Sequence, residues 1–77
     1  MALRKHSVSI RGHRTSFSLE DEFWEPLNQL AAESGTSVAA LVSRIDARRG
    51  EGVNLSSALR LHVLRKLQDE LSDTERG

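Results

Sequence analysis

Residues 13–24, HRTSFSLEDEFW, change structural period without a break. From His13 to Leu19 polar and apolar side chains alternate every second residue, as in a half-buried strand. From Glu20 the chain turns acidic and its apolar residues take up a helical spacing, with no glycine or proline between the two patterns. A lone strand that feeds straight into a helix has unpaired edges and no sheet of its own. The economical remedy is a two-fold dimer in which the strand pairs antiparallel with its own copy.

The size of the chain points the same way. Its 77 residues allow one domain, and a domain this small buries only roughly 60% of the surface its unfolded chain exposes. No cysteine is present to add a disulfide or a thiolate metal site, and the aromatics are only Phe17, Phe23 and Trp24. Efficient helix packing or oligomerisation must then supply stability, and the spread of apolar residues over several helices favours the second. No apolar run approaches the roughly 18 residues of a membrane span and no signal peptide is visible, so a cytoplasmic protein is the default expectation.

Upstream of the first feature, SVSI at 7–10 alternates strictly and reads as a short strand; Arg11 and Gly12 could close a two-residue turn behind it. Residues 1–12 are thus a basic arm or the first strand of a hairpin. In the next strand Thr15, Phe17 and Leu19 share one face, and Arg14, Ser16 and Ser18 the other. A helix begins near Glu20 or Asp21, with Phe23, Leu27, Leu30 and Ala31 in one stripe. Pro26 interrupts it: either a bent first turn precedes Pro26, or the regular helix starts there. Gly35 suits the left-handed end of that helix, and Thr36 or, better, Ser37 caps the next, which carries Val38, Leu41, Val42 and Ile45. Gly50 and Gly52 break the pattern. Asn54 or Ser56 then caps a third helix whose apolar residues, Leu55, Ala58, Leu59, Val63, Leu64, Leu67 and Leu71, span a face too wide for two short helices to cover. The expected divisions are 1–12, a core at 13–49, a C-terminal helix at 50–72 and a frayed tail at 73–77.

Net charge is zero, which argues against a nucleic-acid binder, but the charges are segregated. Residues 1–19 carry Arg4, Lys5, Arg11 and Arg14 with no acid, whereas residues 20–33 carry Glu20, Asp21, Glu22, Glu25 and Glu33 with no base. A basic arm seeking an anionic partner accounts for the first block; the preference of acids for a helix N-terminus accounts for the second.

Residues 14–45, RTSFSLEDEFWEPLNQLAAESGTSVAALVSRI, resemble the ribbon-helix-helix superfamily of the Arc/MetJ type, in a small bacterial subgroup that is largely uncharacterised. The marks are the alternating strand ending at Leu19, a helix with Phe23 and Leu27, the junction of Gly35 and Ser37, and the apolar A-x-L-V of the second helix. The N-terminal SVSIRGH and the third helix depart from the minimal form. The resemblance implies a mainly helical homodimer with a short β-ribbon, and a transcriptional regulator that reads the DNA major groove with that ribbon. Carried over, the base readers are Arg14, Ser16 and Ser18; Ser37 with the backbone of Val38 and Ala39 holds a phosphate, and Arg4, Lys5 and Arg11 neutralise others. The dimer core is Phe17, Leu19, Phe23, Leu27, Leu41, Val42 and Ile45.

Plainer roles stand beside these. Ser37 is also a simple N-cap, Ser16 and Ser18 also solvated strand residues, and Trp24 belongs to a core or interface. A geometric objection concerns residues 7–10: paired with 14–18 in a dimer, they make a four-stranded sheet roughly 14 Å across, and the groove is about 12 Å wide. The competing function is a dimeric protein-interaction module that offers Arg60, His62, Arg65 and Lys66 on its third helix. His6, His13 and His62 lack ligand-like spacing, so no metal or other cofactor is expected, and no nucleophile stands beside a base, so no catalysis is expected.

Overall fold

The computed structural model describes residues 2–76, with side chains described for residues 2–73. Two antiparallel strands, β1 (Leu3–Ile10) and β2 (His13–Glu20), are followed by the helices α1 (Asp21–Glu33), α2 (Val38–Arg48) and α3 (Leu55–Arg76). The strand at 13–20 is therefore not alone: residue for residue it pairs with β1, from Leu3 against Glu20 to Ile10 against His13. Arg11 and Gly12 make the two-residue turn, both with positive φ, 52° and 80°. That is the backbone of a primed turn, whose twist matches the strands it joins.

β1 is longer than SVSI because its inward row hides its alternation. Arg4, His6, Val8 and Ile10 face the helices together with Leu19, Phe17, Thr15 and His13. Four of these are polar, and two of the four have partners on α1. His6 stacks on Trp24 with ring centroids 3.7 Å apart, and Arg4 reaches Asp21 at 3.3 Å.

α1 begins at Asp21 and carries Pro26 inside it, so a helical turn does precede the proline. Glu20 occupies the N-cap position without a side-chain cap bond; its carboxylate is committed to α3 instead. At the other end Thr36 N–H donates to the Ala31 carbonyl and Gly35 N–H to that of Ala32, both at 3.0 Å. These paired bonds, with Gly35 at φ 67°, form a Schellman stop. Ser37 caps α2 at once, its Oγ accepting from Ala40 N–H at 3.0 Å. Asn54 caps α3 by accepting from Ser57 N–H at 2.8 Å, which leaves Ser56 for another task.

Ile10, Phe17 and Leu19 of the hairpin close over Leu27 and Ala31 of α1, Leu41, Val42 and Ile45 of α2, and Leu55, Leu59 and Val63 of α3. Of the seven residues expected in a dimer core, six are buried inside one chain, and Phe23 is partly buried beneath the Arg60 guanidinium at 5.9 Å. The wide apolar face of α3 divides in two: Leu55, Leu59 and Val63 complete this core, whereas Leu64, Leu67 and Leu71 are exposed. The expected frayed tail at 73–77 is helical in its backbone as far as Arg76, and Met1 and Gly77 lie outside the described residues. No helix among the described residues is long and apolar enough to cross a membrane.

Candidate nucleic-acid interface

With one row of the hairpin against the helices, the alternate row faces out. The register pairs Lys5 with Ser18, Ser7 with Ser16 and Ser9 with Arg14, so these six side chains share the outer face. Ser7 and Ser16 touch, Oγ to Oγ, at 3.2 Å. The face is wholly polar here, with four hydroxyls lying between two cations. Lys5 and Arg14 stand about 13 Å apart along the strands, at ~3.3 Å per residue. Lys5, Arg14 and the turn residue Arg11 make no ion pair among the described residues.

The three expected base readers, Arg14, Ser16 and Ser18, thus lie together, and Lys5 joins them. Ser7 and Ser9 were missed as members of the same face. The signal was present in SVSI: closing the chain at Arg11–Gly12 sets those serines opposite Ser16 and Arg14. Arg4 lies on the inward row and bridges Asp21, both side chains being well exposed. Ser37 caps its own helix, while the N–H groups of Val38 and Ala39 belong to the first helical turn, where no intrahelical acceptor exists. They form a group on another element, apart in sequence from the ribbon.

The free edge of β2 is closed at one end. In an antiparallel pair alternate residues turn their backbone groups away from the partner strand. Ser18 is one of these, and its carbonyl accepts from Ser56 Oγ of α3 at 2.8 Å. Two residues on, the Glu20 carboxylate receives Arg60 Nε at 2.9 Å and a second guanidinium nitrogen at 3.1 Å. That fork holds the Glu20 carboxyl below the ordinary glutamate range. α3 therefore lies along the C-terminal end of the β2 edge. The ribbon in this chain is its own hairpin, two strands wide.

The α3 surface considered for a protein partner is correspondingly smaller. Arg60 is occupied by Glu20. Burial first, and then the nearby charges of Lys66, Arg48 and Arg65, push the His62 pKa down, so this ring is mostly neutral near pH 7. No group of histidines and carboxylates suited to a metal ion occurs among the described residues.

The ribbon-helix-helix domain family matches the chain over residues 3–67. The chain belongs to that family. The match takes in β1 and most of α3, so both are parts of this ribbon-helix-helix domain and not additions to it. Such domains are generally DNA-binding regulators without enzymatic activity. No significant match was found among curated proteins or among solved structures.

Proposed function

We propose that this ribbon-helix-helix protein is a cytoplasmic DNA-binding regulator of transcription that works as a homodimer and lays the outer face of its β1–β2 hairpin in the major groove. The observation that carries this is the outer row itself: Lys5, Ser7, Ser9, Arg14, Ser16 and Ser18, wholly polar and two strands wide. A two-stranded ribbon is what the major groove admits. The objection raised by a four-stranded sheet applies only if hairpins pair edge to edge, and α3 already lines part of the β2 edge.

In this reading Arg14 donates to guanine O6 and N7, and the serines donate to or accept from either base of a pair. Lys5 and Arg11 sit at opposite ends of the face and neutralise phosphates. Ser37, Val38 and Ala39 hold a further phosphate at the N-terminus of α2, as exposed first-turn N–H groups do. Arg4 contributes only when it leaves Asp21, which an exposed ion pair permits at little cost. The chain's zero net charge is no obstacle, since residues 1–19 carry four cations and no acid.

The test is fluorescence anisotropy of a labelled mixed-sequence duplex titrated with protein at several salt concentrations. Non-specific binding is expected with a Kd of roughly 10⁻⁴–10⁻⁶ M at physiological salt, tightening steeply as salt falls. Arg14→Ala and Lys5→Ala should each weaken it, and a lost phosphate contact should lower the salt slope by about 1. Absence of binding at low salt would leave the hairpin a solvated surface and turn attention to protein partners.

A further inference from the structure

The outer row of the hairpin does not end at Lys5. Side chains along one strand alternate between its faces, so Leu3, two residues before Lys5, stands on the same outer face. It is 58% exposed, while Leu19 on the inner face of the partner strand is fully buried. A single exposed leucine needs no explanation of its own. The position of this one does: it is the apolar member of a row that otherwise reads Lys5, Ser7 and Ser9 on β1, and Arg14, Ser16, Ser18 and Glu20 on β2.

The residue opposite it is withdrawn. Leu3 pairs with Glu20, whose two carboxylate oxygens are taken by two guanidinium nitrogens of Arg60 on α3, at 2.9 and 3.1 Å. Left free, that carboxylate would accept from cytosine N4 and repel phosphate. Held by the fork it does neither, and Leu3 is the side chain that this end of the face offers.

Of the groups that line the major groove, the C5-methyl of thymine is the apolar one, and apolar side chains recognise it by contact. Against the polar edge of another base a leucine displaces water and returns no hydrogen bond, so it discriminates as well as binds. The far end of the face has the opposite chemistry, since the Arg14 guanidinium matches guanine O6 and N7. From Leu3 to Ser9, the residue paired with Arg14, the strand runs about 20 Å at ~3.3 Å per residue. The two side chains therefore meet different base pairs.

We propose that Leu3 reads thymine through its C5-methyl group, so that the hairpin distinguishes a thymine at one end of its site from the guanine met by Arg14 at the other. This deepens the major-groove reading above and rests on it.

The test is selection of binding sites from a random-sequence duplex library by the wild-type chain and by Leu3→Ala. Leu3 lies outside the core, so the variant should keep its thermal midpoint. Wild-type sites are expected to share a thymine that Leu3→Ala sites lack, and Arg14→Ala should keep that thymine while losing a guanine. Deoxyuridine at the shared position removes the methyl group and nothing else. It should weaken wild-type binding roughly fourfold, the worth of one buried methyl group, and leave Leu3→Ala unchanged. Wild-type sites without a shared thymine, an equal loss on deoxyuridine for both proteins, or no loss for the wild type would each overturn the role of Leu3 and leave the groove reading standing. A wild-type chain that binds no duplex even at low salt would overturn both.

Discussion

Arg11 holds a left-handed backbone, φ 52°, at the tip of the hairpin. For a residue with a Cβ this conformation costs roughly 1–2 kcal/mol, a cost that asparagine partly escapes. Arg11→Asn should therefore stabilise the fold by about 0.5–1 kcal/mol, raising the thermal midpoint by a few degrees. If Arg11 also touches phosphate, the same variant should bind duplex DNA more weakly and with a shallower salt slope. Greater stability with weaker binding is the outcome expected of a residue kept for its charge against its conformation. Gly35 offers the reverse case. Its φ is 67°, and an added Cβ would meet nothing within 4 Å, so Gly35→Ala should lose about 1 kcal/mol through backbone strain alone. Denaturant midpoints measure both. The two residues also show what could be read from the sequence at this scale. Glycine before a cap serine announced its own helix stop, whereas arginine is an uncommon occupant of a primed turn, so Arg-Gly was a weak sign of a hairpin that is in fact complete.

Among the elements, the junction of β2 with α3 fixes the geometry of the ribbon. Ser56 and Arg60, one turn apart on α3, hold the Ser18 carbonyl and the Glu20 carboxylate. Ser56→Ala leaves that carbonyl without its donor and should cost about 1 kcal/mol. Arg60→Lys keeps the charge but cannot form the fork, and should lower the thermal midpoint despite its conservative appearance. Because the Glu20 pKa is lowered in the folded chain, its stabilisation is complete above the ordinary glutamate value of about 4.3. It is lost as pH falls through the lowered value. Arg60→Ala should accordingly flatten the acid limb of a stability–pH curve, measured by urea denaturation at stepped pH. None of this junction was legible beforehand, since contacts between residues about forty positions apart leave no periodic trace. The strand and helix faces were legible, because period two and period 3.6 survive in one dimension. Even there, Arg4 and His6 concealed half of β1 by standing in its inward row.

For the molecule as a whole, the sequence posed one problem, the covering of strand edges and apolar faces in a small chain, and assigned its solution to a second copy. The structure divides that problem. β1 covers β2, and a single chain buries nearly all of the core once reserved for the dimer; the large apolar side chains it leaves exposed include Leu3 of β1 and Leu61, Leu64, Leu67 and Leu71 of α3. If two chains associate as proposed and the hairpins of both reach DNA, two ribbons are carried by one particle, and the contacts of each add in the exponent of the salt dependence. A monomer that neutralises Z phosphates gives a slope of about −0.9Z on B-form DNA, and a dimer with both ribbons engaged about twice that. The expected result is a slope measured above the dimer dissociation constant close to double that measured below it, on a duplex long enough for both hairpins. Equal slopes in the dimeric and monomeric concentration ranges would mean that only one ribbon reaches the groove at a time. The association of two chains would then serve something other than DNA affinity.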